Sequence, residues 1–306
     1  MQVGVITMHN INLQVIFPPI TTPFENGQVA FDKLKTNVEK LNRTGITGIV
    51  VLGSNGEYVY LSEKEKRDVI KAVVEAAPDN MPVIAGTACE SVAETIRLTC
   101  DSAELGARAA LLTTPHYYGG KMTDEAIFRF YSDVADSIPI PALLYNVPKF
   151  TPLNLTAATV SRLSKHPNIV GIKDSSGNVN LLGQYLNRSE PGFNILVGTA
   201  GILFSGITMG CVGGIVALAN VAPEACVQIL AFAKQGRFEE ARRLQLQLLP
   251  VNNAVTATYG IGGLKAAMDM LGYFGGDPRL PLLPATQQER AEVREILIQA
   301  AILIRE

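Results

Sequence analysis

Short apolar, often β-branched runs alternate with longer segments of helical period over most of the chain. The runs predict eight strands, at residues 15–17, 48–52, 83–87, 109–113, 142–145, 169–173, 194–197 and 213–217. The segments between them are amphipathic: in 32–45, Leu34, Val38 and Leu41 share one helical face and Gly45 follows as a stop. Eight β-then-α units in series predict an α/β protein, a closed parallel (β/α)₈ TIM barrel with its helices outside.

An open, doubly wound sheet is the alternative arrangement for alternating strands and helices. Such sheets often carry a glycine-rich phosphate loop after the first strand. Here the first strand runs into "PPITTPF", residues 18–24, which favours the barrel. Beyond the eighth strand the pattern is helical without a clear strand. We therefore predict a barrel over residues 1–228 and a C-terminal helical extension over 229–306 that packs on it.

The composition indicates a globular protein with a small-molecule partner. The 306 residues are 47% hydrophobic, enough for a large core. A net charge of −2 gives no basic face for nucleic acid and no cationic stripe for a membrane surface. No run reaches the roughly 18 apolar residues of a membrane span, and residues 1–17 do not resemble a secretory signal. The four cysteines form no C-x-x-C pair, which is typical of reduced thiols in a cytoplasmic protein.

Polar and aromatic residues gather just after the predicted strands. In a (β/α)₈ barrel the active site is built at the carboxyl ends of the strands, so chemistry is expected there. The segments are "GSNGE" (53–57), "TPHYYGG" (114–120), "LLYNVP" with Tyr145, "GIKDSSG" with Lys173, and "GTAG" (198–201). Their shared location, more than any one motif, indicates a site.

Lys173 directly follows the buried-strand pattern of residues 169–172, and lysine is seldom buried without a partner. Its side chain either reaches the rim, in solvent or paired with Asp174, or stays in an apolar site for its chemistry. In the second case a desolvated, neutral amine attacks a carbonyl and forms a Schiff base. The protonated imine then accepts electrons, so a carbon–carbon bond next to a ketone can break or form without a metal or cofactor.

Four further positions carry both a chemical and a structural interpretation. Tyr145 is a phenol that could shuttle protons near an imine, or a packed tyrosine with a wet hydroxyl. Ser54 and Asn55 lie in a turn whose backbone N–H groups could hold a carboxylate, or that is only a tight turn. His116 is either a base or a pocket-lining residue. The motifs of metal sites and of α/β-hydrolases are missing, so we predict neither, and no cofactor.

Taken together, "GSNGE", "TPHYYGG", "LLYNVP" and "GIKDSSG", in this order and spacing, resemble the dihydrodipicolinate synthase and N-acetylneuraminate lyase family of pyruvate-handling class I aldolases. The resemblance covers residues 18–284. It implies a (β/α)₈ barrel with a C-terminal helical extension, usually assembled as a homotetramer that is a dimer of dimers. It also implies two small-molecule partners, pyruvate and an aldehyde.

By this resemblance, Lys173 matches the family's Schiff-base lysine, and Tyr145 matches the tyrosine that relays protons to and from the substrate. Ser54 and Asn55 match the pair that holds the pyruvoyl carboxylate, with Ser54 also in the hydroxyl relay. Tyr117 matches the tyrosine that reaches into the neighbouring subunit's site and completes that relay.

The aldehyde end of the site is where the family varies. The resemblance assigns the backbone carbonyl of Ile215 to the pyruvate pocket. It places Phe150 where dihydrodipicolinate synthases normally carry an arginine for the aldehyde's carboxylate. Phe150, His116 and the nearby loops are expected to shape the pocket around the aldehyde. The motifs, among them "YGIGGLKAAMDMLGYFGG" (259–276), look most like those of 4-hydroxy-2-oxoglutarate aldolases.

We therefore predict a cofactor-free class I aldolase that cleaves 4-hydroxy-2-oxoglutarate, or a related 2-keto acid, to pyruvate and an aldehyde such as glyoxylate. The first alternative is dihydrodipicolinate synthase, which joins pyruvate to aspartate semialdehyde. An alternative of another class is a non-catalytic keto-acid sensor that uses the same pocket without turnover.

Overall fold

The structure, a computed structural model, describes residues 11–304. The prediction for the N-terminal segment 1–17 therefore concerns mostly residues outside the described range. Eight parallel strands form one sheet: β1 (Ile16–Phe17), β2 (Ile49–Val51), β3 (Val83–Gly86), β4 (Ala109–Thr113), β5 (Ala142–Asn146), β6 (Ile169–Asp174), β7 (Asn194–Val197) and β8 (Gly213–Ile215). Each strand lies within two residues of its predicted bounds.

The sheet curls into a barrel. Its hydrogen-bonded order runs β1, β8, β7, β6, β5, β4, β3, β2. The two end strands meet through a parallel bridge between Pro19 and Val50, where the amide of Ile20 donates to the carbonyl of Val50 at 2.9 Å. This confirms the predicted (β/α)₈ barrel and rules out the open sheet, whose edges would stay apart.

Eleven α-helices lie in the described range: α1 (Phe31–Leu41), α2 (Glu63–Ala76), α3 (Val92–Glu104), α4 (Asp124–Ser137), α5 (Ala157–Leu163), α6 (Val179–Arg188), α7 (Leu203–Met209), α8 (Pro223–Lys234), α9 (Phe238–Asn253), α10 (Gly260–Met270) and α11 (Gln287–Gln299). The first eight follow the eight strands, and α9 to α11 come after the barrel. The predicted boundary after residue 228 lies within α8. Across residues 11–304, no helix has the length and apolar character needed to cross a bilayer.

Local signals explain where the helices begin and end. Ser62 caps α2 in a capping box with Glu65. A 3₁₀ turn continues α1 and ends at Gly45, whose φ of 80° is left-handed and suits glycine. A short antiparallel hairpin, 24–25 with 28–29, precedes α1 and is an element that the hydrophobic pattern does not predict.

The strands pack between two layers of apolar side chains. The inner layer fills the barrel with side chains that include Phe17, Val50, Ile84, Leu111, Leu143, Tyr145, Leu196 and Ile215. The outer, larger layer lies between the strands and the surrounding helices. Because alternate residues of a strand face opposite sides, each strand contributes to both layers. The last inward residues of β5 and β6 therefore project into the mouth of the barrel.

Candidate active site

Tyr145 and Lys173 lie side by side at the carboxyl ends of β5 and β6. They are direct neighbours in the parallel register of the two strands. Lys173 Nζ lies 3.9 Å from the centroid of the Tyr145 ring. The barrel thus brings together the amine and the phenol that the sequence analysis singled out separately.

Lys173 is buried without an acidic partner. It is 3% exposed, and the other buried lysine of residues 11–304, Lys265 of α10, is ion-paired with Glu57 at 2.6 Å. No carboxylate in the described part of the chain forms an ion pair with Lys173. Asp174 faces away from it, because its carboxylate accepts hydrogen bonds on the outer side of the sheet. The interpretation of Lys173 as a rim residue is therefore wrong.

Ser54 connects the phenol to the turn after β2. Its Oγ lies 3.4 Å from Tyr145 Oη, a long hydrogen bond. The 3₁₀ turn Ser54–Gly56 is held by the amides of Gly56 and Glu57, which donate to the carbonyls of Gly53 and Ser54. The first amides of the turn, those of Ser54 and Asn55, stay outside these internal bonds. Such amides are suited to binding a carboxylate.

The surroundings of Tyr145 lower the pKa of its phenol. Burial alone would raise its pKa, but the charge of Lys173 and hydrogen bonds with Ser54, Lys173 and Ser175 outweigh burial. The pKa of Tyr145 therefore lies below the ordinary 10.0. A phenol with a lowered pKa exchanges protons more readily at neutral pH than an ordinary tyrosine does.

A hydrogen bond between Asn146 and Asp174 links β5 to β6 one residue beyond Tyr145 and Lys173. Asn146 and Asp174 are also opposite each other in register. Asn146 Nδ2 donates to Asp174 Oδ1 at 2.7 Å, and Ser176 Oγ donates to Asp174 Oδ2 at 2.7 Å. Burial raises the pKa of the Asp174 carboxyl, although these hydrogen bonds oppose it. The network fixes the relative height of the two strand ends, and the sequence pattern does not predict it.

Ser175 is a further polar group that the sequence analysis missed. Its side chain is one of the groups that lower the pKa of Tyr145, and its Oγ donates to the carbonyl of Gly198 at 3.1 Å. Residue 198 must be glycine, because a Cβ there would lie 2.1 Å from Ser175 Oγ. The alternation of strand residues could have identified Ser175, since it lies two residues after Lys173 on the same face.

A small cavity adjoins Tyr145 at the barrel mouth, and Ser54, Tyr58 and Thr113 are among its lining residues. Burial raises the pKa of the Tyr58 phenol, while a hydrogen bond with Thr113 opposes that shift. Thr113 ends β4, so strand-end position was the available signal for it, whereas Tyr58 could have been found only because it directly follows the "GSNGE" motif.

Two other predicted residues lie close to this cluster. Ile215 ends β8 and is fully buried in the inner layer of the barrel. The side-chain amide of Asn55 donates to the carbonyl of Pro19 at 3.3 Å, across the bridge that closes the barrel. Both residues therefore belong to the wall of the mouth.

Phe150, His116 and Tyr117 lie apart from the cluster. Phe150 is 51% exposed and Tyr117 is 77% exposed. His116 Nδ1 lies 3.0 Å from Glu90 Oε1. Within residues 11–304, no hydrogen bond or ion pair joins these three to Lys173 or Tyr145. Over the same range, no group of three or more His, Cys, Asp or Glu side chains is arranged to hold a metal ion.

Comparison with known proteins identifies the family. The model of the dihydrodipicolinate synthetase family matches residues 12–300 of the chain. The chain belongs to the dihydrodipicolinate synthetase family. Members of this family are class I lyases and synthases that use a lysine Schiff base with pyruvate, and this family member is an enzyme of that class. The alternative of a non-catalytic sensor is therefore not retained.

Two similar curated proteins carry the same name. The 4-hydroxy-tetrahydrodipicolinate synthase of Methanothrix thermoacetophila is 36% identical over 290 residues, which cover 94% of this chain and 97% of the relative. The enzyme of the same name from Geobacter metallireducens is 37% identical over 278 residues, with coverages of 91% and 95%. These names favour the synthase over the predicted 4-hydroxy-2-oxoglutarate aldolase.

Solved structures of the same family share the fold. The chloride-inhibited dihydrodipicolinate synthase from Acinetobacter baumannii, complexed with pyruvate, has a TM-score of 0.89 and 32% identity, with coverages of 94% and 99%. A prophage protein of the dihydrodipicolinic acid synthase family from E. coli K12, in complex with pyruvate, has a TM-score of 0.90 and 27% identity, with coverages of 95% and 99%. Both therefore match this family member over nearly its whole length.

Proposed function

We propose that this enzyme forms a Schiff base between Lys173 and pyruvate and uses it to join pyruvate to an aldehyde, or to split the product of that reaction. The observation that carries the proposal is the buried Lys173 amine, which faces the Tyr145 ring at 3.9 Å and has no ion pair among the described residues. Membership of a family whose enzymes use a lysine Schiff base with pyruvate supports the same chemistry.

The reaction begins when Lys173 Nζ attacks the keto carbon of pyruvate, and the carbinolamine loses water to give a protonated imine. The imine withdraws electrons, so the methyl carbon loses a proton and an enamine forms. That carbon attacks the aldehyde carbon, and the new carbon–carbon bond regenerates the imine. Water then hydrolyses the imine and releases the lysine. The reverse sequence cleaves a 4-hydroxy-2-keto acid.

We assign the proton transfers to Tyr145 and Ser54. Tyr145 Oη receives a proton from the carbinolamine, or from the C4 hydroxyl during cleavage, and returns it later. Ser54 Oγ, 3.4 Å away, continues the relay, and Tyr117 of a neighbouring copy completes it in the assembled enzyme. The amides of Ser54 and Asn55 hold the pyruvate carboxylate, and the carbonyl of Ile215 lines the pocket.

For the aldehyde, the relatives favour aspartate semialdehyde. The curated relatives are named 4-hydroxy-tetrahydrodipicolinate synthase and match more than nine-tenths of the chain. The synthase reaction is therefore the first candidate.

Phe150 argues against the synthase reaction, and the motifs of the sequence support a second candidate, the cleavage of 4-hydroxy-2-oxoglutarate to pyruvate and glyoxylate. An apolar ring occupies the position where dihydrodipicolinate synthases normally have an arginine. The neighbouring Lys149 does not replace that arginine, because its Nζ donates to the carbonyl of Thr256 at 2.9 Å. The aldehyde's carboxylate would thus lack a bidentate cationic partner.

Parallel assays distinguish the two candidates. The purified enzyme receives pyruvate with aspartate semialdehyde in one reaction and 4-hydroxy-2-oxoglutarate in the other, with products identified by mass. Turnover in the first reaction alone supports the synthase, and turnover in the second alone supports the aldolase. If neither reaction proceeds, and a wider panel of aldehydes with pyruvate yields no adduct, the proposed function is wrong.

A further inference from the structure

The turn of residues 53–57, which carries Ser54 and Asn55, is held from the side away from Lys173. Thr22 Oγ1 donates to the carbonyl of Gly56 at 2.7 Å. The last residue of the turn, Glu57, has a φ of 54°, in the left-handed region that few residues other than glycine adopt. A conformation of this kind persists only where the surrounding contacts impose it.

The side chain of Glu57 supplies such contacts. Its carboxylate is buried, with 1% of the side chain exposed. Glu57 Oε1 lies 2.6 Å from Lys265 Nζ, and Glu57 Oε2 accepts a hydrogen bond from the amide of Arg279 at 2.8 Å. Both partners belong to the part of the chain that follows the barrel, so the turn is tied to the C-terminal extension.

Lys265 is itself fixed in place. Its Nζ also donates to the carbonyls of Thr22 and Asp277, at 2.9 Å and 3.1 Å. Gly275 packs so closely on α10 that a Cβ there would lie 2.0 Å from the carbonyl oxygen of Lys265. The ammonium therefore bridges three chain segments: the residues after β1, the 53–57 turn and the loop after α10.

A buried ion pair is a poor means of stabilising a fold. The cost of desolvating two charges largely offsets their attraction, and apolar replacements of similar size are often equally stable. A buried pair instead imposes one geometry, because each charge must face the other. The pair between Glu57 and Lys265 touches the pyruvate-binding turn and does not contact Lys173 or Tyr145.

We propose that Glu57 and Lys265 are positioning residues that hold the 53–57 turn in its carboxylate-binding conformation, so that the C-terminal extension sets the affinity for pyruvate. This inference rests on the proposed function, because it takes the turn as the site of the pyruvate carboxylate. It predicts an effect on pyruvate binding that is separate from the reactivity of Lys173.

The test uses trapping of the Lys173 imine by borohydride over a series of pyruvate concentrations, in wild type and in the double variant Glu57→Gln/Lys265→Met. The glutamine that replaces Glu57 still accepts from the Arg279 amide, and methionine has nearly the length of lysine without its charge. We expect the half-saturating pyruvate concentration to rise about tenfold, while the trapping rate at saturation stays within about twofold. The single variant Lys265→Met should fold less stably, because it leaves the Glu57 carboxylate buried without its partner.

The matched control is Val293→Ala, which removes a buried side chain of α11 and destabilises the extension without touching the turn. It should leave half-saturation unchanged. Circular dichroism confirms that each variant is folded; if the double variant does not fold, Glu57→Gln/Lys265→Gln, whose two amides can hydrogen-bond each other, is measured instead, with a smaller rise expected. This inference alone is overturned if the half-saturating pyruvate concentration is unchanged in the folded variant, or if it rises equally in the control. Failure to trap wild-type Lys173 overturns the proposed function and this inference together.

Discussion

Two buried lysines of residues 11–304 have different surroundings, and we assign them different roles on that basis. The Lys265 amine is committed to Glu57 and two carbonyls. The Lys173 amine faces the ring and hydroxyl of Tyr145 at the mouth of the barrel. A nucleophile needs a lone pair and an open approach, which an ammonium enclosed by three oxygen acceptors does not have. Burial alone therefore does not distinguish the two lysines, and we expect the reactive amine to be that of Lys173, which has no carboxylate partner among the described residues.

Replacing Tyr145 by phenylalanine tests the proton relay. The ring stays packed against Lys173 while the hydroxyl is lost. We expect kcat to fall by about 10²- to 10⁴-fold. Steady-state kinetics with the substrate identified by the assays above measures this loss. Tyr185→Phe is a matched control, because that fully buried tyrosine donates to the carbonyl of Leu155 and lies in the outer apolar layer. Equal kcat values for Tyr145→Phe and wild type would contradict the relay.

The lowered pKa of Tyr145 predicts where its phenol ionises. Burial raises this pKa, but Lys173 and the hydrogen bonds lower it by more than burial raises it. The midpoint of the phenol's titration should therefore lie below pH 10.0. An ultraviolet difference titration of wild type against Tyr145→Phe measures that midpoint. Ser54→Ala removes one of the lowering hydrogen bonds and should move the midpoint upward. A midpoint at or above that of an ordinary tyrosine would contradict this description of the site.

At the scale of elements, strand order and register decide which side chains meet. The hydrophobic pattern predicts all eight strands, because each is a short apolar run bounded by turn residues. It does not predict the hairpin of residues 24–29, whose two-residue strands are too short for any periodicity. Nor does it predict the bond between Asn146 and Asp174, because a period of two does not fix which residue faces which across two strands.

The contact between α2 and the C-terminal loop gives a pH-dependent prediction. Hydrogen bonds from Arg279 lower the pKa of Glu65 from 4.5 to about 2. Burial opposes this shift, and hydrogen bonds from Ser62 add to it. A folded-state pKa below the unfolded value stabilises the fold above about pH 4.5, and this contribution is lost as the pH falls toward 2. Glu65→Gln should therefore cost about 1 kcal/mol of unfolding free energy at pH 7, because solvent screens part of the interaction.

Denaturant unfolding at several pH values measures this cost. The glutamine that replaces Glu65 can still complete the capping box of α2, so the variant isolates the charge. Glu63→Gln, on the same helical turn, is the control and should change stability by less than about 0.5 kcal/mol. A cost for Glu65→Gln that does not shrink toward pH 2 would exclude the carboxylate as its source.

At the scale of the whole molecule, the barrel, the extension and a neighbouring copy are all expected to contribute to one site. The sequence predicts the barrel because its signal is periodic and repeated. It does not predict the pairing of Glu57 with Lys265, which are 208 positions apart, because no local pattern relates such distant residues. No local pattern shows what Tyr117 contacts either. Its 77% exposure leaves it free to reach another subunit. The homotetramer remains a prediction.

Mixing two inactive variants tests the contribution of Tyr117 across subunits. Tyr117→Phe lacks the relay hydroxyl and Lys173→Ala lacks the nucleophile. In a mixed dimer, one of the two sites combines an intact lysine with an intact tyrosine. Random reassembly should therefore restore about a quarter of wild-type activity. The control mixture contains Tyr118→Phe in place of Tyr117→Phe. The ring centroids of Tyr118 and Tyr117 lie 5.0 Å apart. Tyr118→Phe should be active on its own. No recovery on mixing would show that Tyr117 does not act across subunits.

The most direct test of the central claim is the site of covalent attachment. The enzyme is incubated with pyruvate and borohydride, digested, and analysed by mass spectrometry. We predict a reduced pyruvyl adduct on Lys173, and none on Lys265, which is also buried but ion-paired, or on Lys149, which donates to the carbonyl of Thr256. An unmodified Lys173, or an adduct at a different lysine, would contradict the Schiff-base account.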